Sequence, residues 1–457
     1  MSLLNIGVSA LTAAQTSLAT TSHNISNVNT EGYNRQRAEH VTQLPDFVGN
    51  RFIGSGVTIG SIERVYDSFL ANQVRTYTSQ STQAGTFFEF SKQVDDLLGS
   101  EELGLNSGLD EFFNAVHEVA SDPTSISART VMLTQGELLA NRFNTLDQQI
   151  TSFDKQIDNS LSVSIKDINT ISQGIADLNA AIVAATGSNS GSPNDLLDQR
   201  DQLINDLSKF ISVETLAESN GAVSVFVGSG QALVVGTTQI DLHAIPDIST
   251  TPSRISVGYG SSMVDISAQL SGGSIGGSFQ VRTDVIDTAR ASLDTLASAV
   301  VTSFNTVQTA GIDLDGNAGT NFFDPTGTTA GTINVILTDP RDIAASSVAN
   351  AGVGNNVNAL ALADLQTAKT LAAGTQSYAE AYGVIVADVA TRTHQADVNE
   401  KTQGGLLNQV ELRFDSQSGV NLDEEAANLI KLQQAYQAAS QIITVSNTIF
   451  NALIQAV

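Results

Sequence analysis

The fold is decided by two stretches of sequence, LNIGVSALTAAQTSLATTSHNISNV (residues 4–28) and LIKLQQAYQAASQIITVSNTIFNAL (residues 429–453). In both stretches a set of mostly apolar or small residues recurs in alternating steps of three and four positions. This is the heptad spacing of a helix face, here called the seam, that packs against a partner. No Pro or Gly follows Asp423, so nothing interrupts the second pattern. We therefore predict one long helix near each end of the chain.

These two seams are the candidate assembly surface. In the first seam the large residues are separated by Gly7, Ala14 and Thr21, so a partner helix can approach closely there. Four or five buried Leu or Ile side chains, each worth about 1.5–3 kcal/mol, offset the ordering entropy of a helix only when a partner is present. We expect the two helices to pair with each other and with neighbouring chains. The large seam positions are Leu4, Leu11, Leu18, Ile25 and Val28 in the first helix, and Leu429, Leu432, Tyr436, Ile443, Phe450 and Leu453 in the second.

Both end helices lack charge. Residues 1–30 contain no Asp, Glu, Lys or Arg, and no charged residue follows Lys431. Asn, Gln, Ser and Thr interrupt both stretches before about 18 continuous apolar residues are reached, and the first has no basic start, so we expect neither membrane insertion nor a cleaved signal peptide. Two ordinary amphipathic helices of a globular bundle are the alternative. The missing charge disfavours it, because soluble bundles carry Glu and Lys on their outward faces.

Between the ends, the sequence predicts a rod of long helices and one β-rich insert. Apolar residues at helical spacing run from Arg129 to Ala185, and forty residues of helix already span about 60 Å. After Val213, near-alternation of Val and Leu with an Asn-Gly turn indicates β-structure, and another strand is predicted over 333–337. The glycine-rich stretch SGGSIGGS (residues 271–278) is interpreted as a flexible turn.

The predicted fold class is therefore mainly α with a β-rich insert. Long terminal coiled-coil helices form a rod, and a smaller β-containing domain projects from the middle. The predicted segments are an N-terminal assembly helix with its following loop (1–62), the N-terminal half of the rod (63–211), the β-rich insert (212–356), the C-terminal half of the rod (357–418) and a C-terminal assembly helix (419–457).

Composition excludes several functional classes. The 457 residues include 21 basic and 47 acidic side chains, which gives a net charge of −26, and no cysteine. Without a basic patch, binding to nucleic acid or to an anionic membrane surface is disfavoured. Without cysteine, disulfides, thiolate zinc sites and cysteine nucleophiles are excluded.

No constellation of catalytic or metal-binding residues emerges, so we predict no enzyme, no cofactor and no metal. One stretch superficially follows a calcium loop, with Asp313, Asp315 and Asn317 at its first, third and fifth positions. Ala318 stands where that loop needs Gly and Asp324 where it needs Glu, so we predict a turn held by side-chain-to-backbone hydrogen bonds instead. The histidines show no metal-ligand spacing; they are His23, His40, His117, His243 and His394.

Specific motifs then point to a family. The stretch SHNISNVNTEGYNRQ (residues 22–36) resembles the N-terminal signature of the bacterial flagellar axial family of rod, hook and hook-associated proteins, and residues 418–454 resemble its C-terminal signature. Internal stretches at 193–210, 311–324 and 338–346 are similar to the hook-associated members that join hook to filament. The motif positions in this chain are Asn24, Ile25, Asn27, Asn29, Thr30, Gly32 and Tyr33.

The resemblance implies a non-enzymatic structural subunit between hook and filament. Its partners would be other copies of itself in a ring, hook subunits, and the next hook-associated protein or the filament. It also implies a cytoplasmic export chaperone on the C-terminal helix and export through the flagellar type III apparatus, without signal cleavage, to the cell exterior. The middle region is short compared with the larger members of that family.

The sequence leaves three other functions open and disfavours each of them. A hook or rod subunit is disfavoured by the internal stretches just quoted. A secreted adhesin would bind its ligand through the β-rich insert, which has no recognisable pocket motif. An enzyme, such as a wall hydrolase or protease, would need a placed acid-base pair or a metal, for which the sequence offers no pattern.

Overall fold

The computed structural model describes residues 3–48, 51–187, 191–247, 254–349 and 354–456. The first and last residues of the predicted terminal segments therefore lie outside the described residues. The helices are α1 (Leu3–Ser26), α2 (Ser68–Leu98), α3 (Leu105–Ser121), α4 (Ile126–Gly187), α5 (Asn194–Phe210), α6 (Gly273–Val281), α7 (Asp287–Ala310), α8 (Val357–Asp364), α9 (Tyr378–Ser418) and α10 (Leu422–Ala456).

The strands form four small antiparallel sheets. Two sheets build one ribbon after α1, and the other two follow α5. The strands are β1 (Gln36–Thr42), β2 (Asp46–Val48), β3 (Arg51–Ile53), β4 (Val57–Arg64), β5 (Val213–Ala217), β6 (Val223–Val227), β7 (Gln231–Val235), β8 (Thr238–Gln239), β9 (Leu242–Asp247), β10 (Arg254–Tyr259) and β11 (Val264–Asp265).

The predicted fold class is confirmed: long helices stand near both ends, and sheets lie in the middle. The longest helix, α4, has 62 residues and so spans about 93 Å. Its buried face holds apolar residues from Met132 to Ile182, as the helical spacing predicts. One end of the rod has an aromatic core in which Phe112, Phe304 and Phe322 lie with ring centroids 5.0–5.9 Å apart.

The sheets of the middle region rest on α4. The predicted Asn-Gly turn joins β5 to β6, with Gly221 at φ +92°. Buried Asn179 of α4 donates to the carbonyl oxygens of Val223 and Gly236 and accepts from the Val223 N–H. This side chain satisfies backbone groups that the sheet itself leaves unpaired.

A cluster of buried charges fixes the same region to the middle of α4. Asp154, which is nearly inaccessible to solvent, accepts hydrogen bonds from Arg254 of β10, from Arg282 and from Arg290 of α7. Arg282 lies in the π-helical turn Arg282–Ile286 that joins α6 to α7. Because three arginines converge on one carboxylate, strand, turn and helix are held in one arrangement.

The interpretation of SGGSIGGS as a flexible turn is wrong. Residues 273–281 form α6, which packs against α2. A Cβ atom on Gly277 would lie 2.6 Å from the Gln83 carbonyl oxygen, so the two helices approach as closely as they do only because Gly277 has no side chain. The glycines allow two helices to pack closely, whereas glycine-rich composition alone predicts a turn.

The prediction of a strand over residues 333–337 is also wrong. Within that stretch the structure has one isolated bridge, between Val335 and Phe323. Ile333 and Leu337 are buried in the hydrophobic core and Val335 packs against it, whereas Ile336 is exposed. A neighbouring strand to pair with is lacking among the described residues. The turn predicted around Asp313 is confirmed, because its carboxylate accepts from the N–H groups of Asp315 and Asn317.

The predicted segments remain predictions as domains. Within the range 212–356, the described strands run from Val213 to Asp265, and the helices α6 and α7 follow. No helix among the described residues combines the length and the apolar character needed to cross a bilayer.

The same substitution at two glycines should change the free energy of unfolding in opposite directions. Gly277→Ala should lower the free energy of unfolding by about 1–3 kcal/mol, because its Cβ would force α6 away from α2. Gly405→Ala, inside α9 with no atom near its Cβ position, should raise it by up to about 1 kcal/mol through helix propensity. Urea unfolding of the full chain measures both, and a stable Gly277→Ala variant would contradict the close packing.

Candidate functional site at the paired terminal helices

The two terminal helices pack against each other in antiparallel fashion. A Cβ atom on Gly7 of α1 would lie 3.0 Å from Ile443 Cγ1 of α10. Near the other end of α1, Asn24 Nδ2 lies 3.2 Å from Glu425 Oε2. Position numbers therefore rise along one helix as they fall along the other. Because Gly7 has no side chain, the helices can approach as closely as the first seam predicts.

Small and polar side chains fill the buried face of α1. Its buried residues include Ala14, Ser17 and Thr21, whereas the large seam residues of α1 are only half-buried. In α10, Phe450 and Leu453 are exposed and the other large seam positions are half-buried. The structure thus brings the two helices together but leaves much of the predicted seam open. The half-buried positions are Leu4, Leu11, Leu18, Ile25, Val28, Leu429, Leu432, Tyr436 and Ile443.

The motif residues form a junction at the end of the helix pair where α1 ends and α10 begins. Asn24 is buried; its Oδ1 accepts from the Gln36 N–H at 2.9 Å and from the Tyr33 hydroxyl at 2.7 Å. Its Nδ2 donates to the Gln36 carbonyl oxygen at 2.9 Å and to Glu425. One side chain therefore ties together α1, the start of the β-ribbon and the start of α10.

Tyr33 completes this junction from the motif turn. Burial, together with Asp195, Asp198 and Glu425, raises the pKa of the Tyr33 phenol, so the hydroxyl stays protonated and donates to Asn24. His23 Nδ1 lies 3.0 Å from the same oxygen. Since the single phenolic hydrogen points at Asn24, the hydrogen between His23 and Tyr33 belongs to the imidazole.

The remaining motif residues shape the turn itself. Asn27 donates to the His23 carbonyl oxygen, and Thr30 donates to Asn27. Gly32 has φ +76° and packs against the Gln202 side chain, which would clash with a Cβ there. Asn29 is exposed, and Ile25 is half-buried on α1. The motif is thus mainly a structural device that turns the chain at a fixed angle.

A layer of ion pairs connects the junction to the rod. Asp198 of α5 accepts from the Asn34 backbone N–H and side chain, and Arg64 Nη1 lies 2.9 Å from it. Arg64 also pairs with Asp201, as does Arg75 of α2. Burial raises the pKa of the Asp198 carboxyl, and the hydrogen bonds from Asn34 and Arg64 oppose that rise.

Sequence reasoning missed this layer as a site. The paired residues are separated by more than one hundred positions, so no local spacing reveals them. The available signal was placement, because Asp198 and Asp201 lie within the internal stretch 193–210 and Glu425 lies within the C-terminal signature. The acids of both stretches make structural contacts: Asp198 and Asp201 pair with Arg64, and Glu425 accepts a hydrogen bond from Asn24.

A cavity of about 480 Å³ lies between the motif turn and the rod. It is bounded by His23 and Tyr33 on one side and by Leu178, Asp195 and Leu203 on the other. Within the part of the chain that the structure describes, no group of three or more His, Cys, Asp or Glu side chains is placed to hold a metal ion. The cavity is thus lined by side chains of the motif turn, α4 and α5.

Comparison with known proteins identifies the family. The family model described as the flagellar hook-associated protein FlgK helical domain matches residues 91–323, about half of the chain. Flagellar hook-associated protein 1 of Escherichia coli strain K12 is 31% identical over an alignment of 543 positions, gaps included, that covers 99% of each chain. The chain belongs to the flagellar hook-associated protein 1 family. It is accordingly a structural protein of the bacterial flagellum.

Two further family models cover the terminal helices. The one described as the flagella basal body rod protein matches residues 4–34, which are α1 and the motif turn. The one described as the flagellar basal body rod FlgEFG protein C-terminal matches residues 413–456, which contain α10. The paired helices are thus the part that this hook-associated family has in common with rod proteins.

Other relatives agree in sequence and in fold. Flagellar hook-associated protein 1 of Bacillus subtilis strain 168 is 28% identical, over 97% of this chain and 96% of the relative. The flagellar hook junction protein FlgK from Burkholderia pseudomallei shares the fold with a TM-score of 0.69, at 18% identity over 76% of this chain and all of that one. The alignment with the Escherichia coli relative spans 543 positions, more than the 457 residues of this chain, so some residues of that relative have no counterpart here.

Replacing Asn24 tests the junction. Asn24→Leu keeps a similar volume but leaves the Gln36 backbone groups and Glu425 without their partner, so the free energy of unfolding should fall by at least about 2 kcal/mol. Amide exchange in α1 and α10 should become faster. Asn29→Leu, at an exposed motif position, is the control and should change stability by no more than about 0.5 kcal/mol. Equal effects at both positions would contradict the role of Asn24.

Proposed function

We propose that this flagellar protein forms the junction between hook and filament, outside the cell, as a ring of identical copies. Hook subunits lie on one side of the ring, and the next hook-associated protein or the filament lies on the other. The observation that carries the proposal is the exposed apolar surface of α10 in a single chain, which has no charged residue beyond Lys431. Family membership supports the flagellar location and the tendency to self-assemble.

The exposed surface of α10 is large for a helix near the end of a soluble chain. Phe450 is 62% exposed, and Leu453 and Ile454 are each 60% exposed. Burying one such side chain contributes about 1.5–3 kcal/mol, so a few of them are enough to hold neighbouring copies together. Other exposed large residues of this helix are Leu422, Ile430, Ile442, Val445 and Ile449.

Charge supports the same arrangement. The chain carries −26 overall, so like copies repel one another wherever their acidic surfaces meet. Beyond Lys431 the second helix carries no charge, and neither does α1. The paired terminal helices are therefore the surface through which copies approach with the least electrostatic cost. We assign the predicted seam and the motif residues to this assembly role.

The five predicted segments receive roles on this basis. The two terminal segments, 1–62 and 419–457, build the inner tube of the ring. The rod halves, 63–211 and 357–418, and the β-containing range 212–356 project outward from it. The junction at Asn24 sets the angle between the inner and outer parts.

Before assembly, the exposed surface of α10 needs protection. We assign that role to a cytoplasmic export chaperone that covers the apolar face of α10, and we assign export to the flagellar type III apparatus without signal cleavage. The proposed role of the chain is structural rather than enzymatic. Its buried acids support this, since Asp154, Asp198 and Asp201 each pair with arginine.

Charging the exposed seam should prevent assembly without unfolding the chain. In the double variant Phe450→Glu/Leu453→Glu both side chains are solvent-exposed, so thermal stability should not change, but the chain should not be incorporated into flagella and filaments should be lost. The control, Leu216→Glu/Val264→Glu, adds the same charge to exposed strand positions and should retain filaments. Electron microscopy and immunoblots of cells and medium measure both. Normal filaments on the first variant would contradict the assignment.

The chaperone proposal makes a separate prediction. Calorimetric titration of the full chain with the purified flagellar export chaperone should show binding that Phe450→Glu/Leu453→Glu weakens by about tenfold or more, since both residues lie on the covered face. Leu216→Glu/Val264→Glu should bind as the unchanged chain does. Unaltered affinity in the first variant would place the chaperone on another surface.

A further inference from the structure

The β-ribbon that follows α1 runs back along this helix toward its start. Near the base of the ribbon, Gln36 bonds to Asn24, and further along, the Ser17 hydroxyl lies 3.0 Å from His40 Nε2. Beyond His40, a Cβ atom on Gly56 would lie 2.3 Å from Ser9 Oγ. The outer part of the ribbon therefore begins level with the first turns of α1.

Two arms thus project from the same end of the molecule. From Gln43, which bonds to the Gly56 carbonyl oxygen, the ribbon continues five residues to Val48, a reach of up to about 17 Å. From Ile443, which faces Gly7, α10 continues thirteen residues to Ala456, a reach of about 20 Å. Both the ribbon and α10 therefore continue beyond the same level of α1.

The outer part of the ribbon carries an exposed apolar cluster. Leu44 is 90% exposed and Phe52 is 74% exposed. Phe47 and Ile53 are also exposed, and the rings of Phe47 and Phe52 lie 5.0 Å apart between centroids. We call Leu44, Phe47, Phe52 and Ile53 the ribbon cluster. Their exposure shows that the cluster does not pack against α10 of its own chain.

We propose that the ribbon cluster docks on the end of α10, at Phe450, Leu453 and Ile454, in a second copy of this chain. The inference rests on the proposed function, because it requires copies arranged in a ring. Rotation about the axis of a ring keeps every copy at the same height. Because the ribbon and the end of α10 lie at the same end of each copy, the ribbon of one copy can contact α10 of the next.

Charge favours a second copy as the occupant. Residues 41–57 contain one acid and one base, Asp46 and Arg51, and the end of α10 contains no charge. Two such neutral surfaces meet without repulsion, although each whole chain carries −26. The contact also continues the exposed seam of α10 already assigned to assembly, and it buries aromatic rings that each cover about 150–250 Å².

The absence of natural cysteine permits a direct test, because every disulfide must come from introduced residues. Intact flagella that carry Phe52→Cys/Leu453→Cys are oxidised with copper phenanthroline and analysed on non-reducing gels. Covalent dimers and higher multiples are expected, and reductant should dissolve them. Leu216→Cys/Leu453→Cys, which pairs the helix with an exposed strand position, is the control and should remain monomeric.

Several results would overturn the inference. A double-cysteine chain that is present in flagella at the normal level but remains monomeric, or forms the disulfide within one chain, contradicts the contact and leaves the proposed function intact. A photo-crosslinker at Phe52 that joins a hook or filament subunit, rather than residues 445–456 of a second copy, also contradicts it. Absence of the unchanged chain from hook–filament structures would overturn the proposed function and this contact together.

Discussion

The structure depends on the buried side-chain amide of Asn24. Its oxygen accepts two hydrogen bonds and its nitrogen donates two, so all four of its bonding positions are used. The partners come from the motif turn, the β-ribbon and α10, which are otherwise separate elements. A buried amide with this many partners specifies one geometry, because any other arrangement leaves polar groups unpaired. Through Asn34 and Asp198, that geometry is passed on to the rod.

Charge is distributed so that association and repulsion are separated. Several arginines of this acidic chain are buried, among them Arg129, which donates to backbone carbonyl oxygens, and Arg282, which binds Asp154. The buried cations stabilise the rod and leave its surface acidic, whereas α1 and the later part of α10 are neutral. The paired terminal helices are therefore the least charged surface of the molecule, and we propose that copies associate there.

The sequence predicts the architecture well and the site only in part. Heptad spacing and missing charge identify α1 and α10, and helical spacing identifies α4, because these patterns are local. The ion pairs at Asp198 and the tie between Asn24 and Glu425 join distant positions, which no spacing rule connects. The prediction of a turn at glycine-rich α6 is wrong for a related reason. Its glycines are required by close packing against α2, which the sequence of the segment alone does not reveal. The roles of the seam residues in assembly are still predictions.

The position of Asp154 along α4 has a mechanical consequence. This helix runs from Ile126 to Gly187, and Asp154, with its three arginines, lies close to its midpoint. A long, thin helix bends under a load that rises steeply as the length between its fixed points becomes shorter. Bracing at the centre therefore stiffens the helix against bending far more than the same contacts would near either tip. The charge cluster at Asp154 therefore resists bending of α4 at the point where bending would displace the helix most.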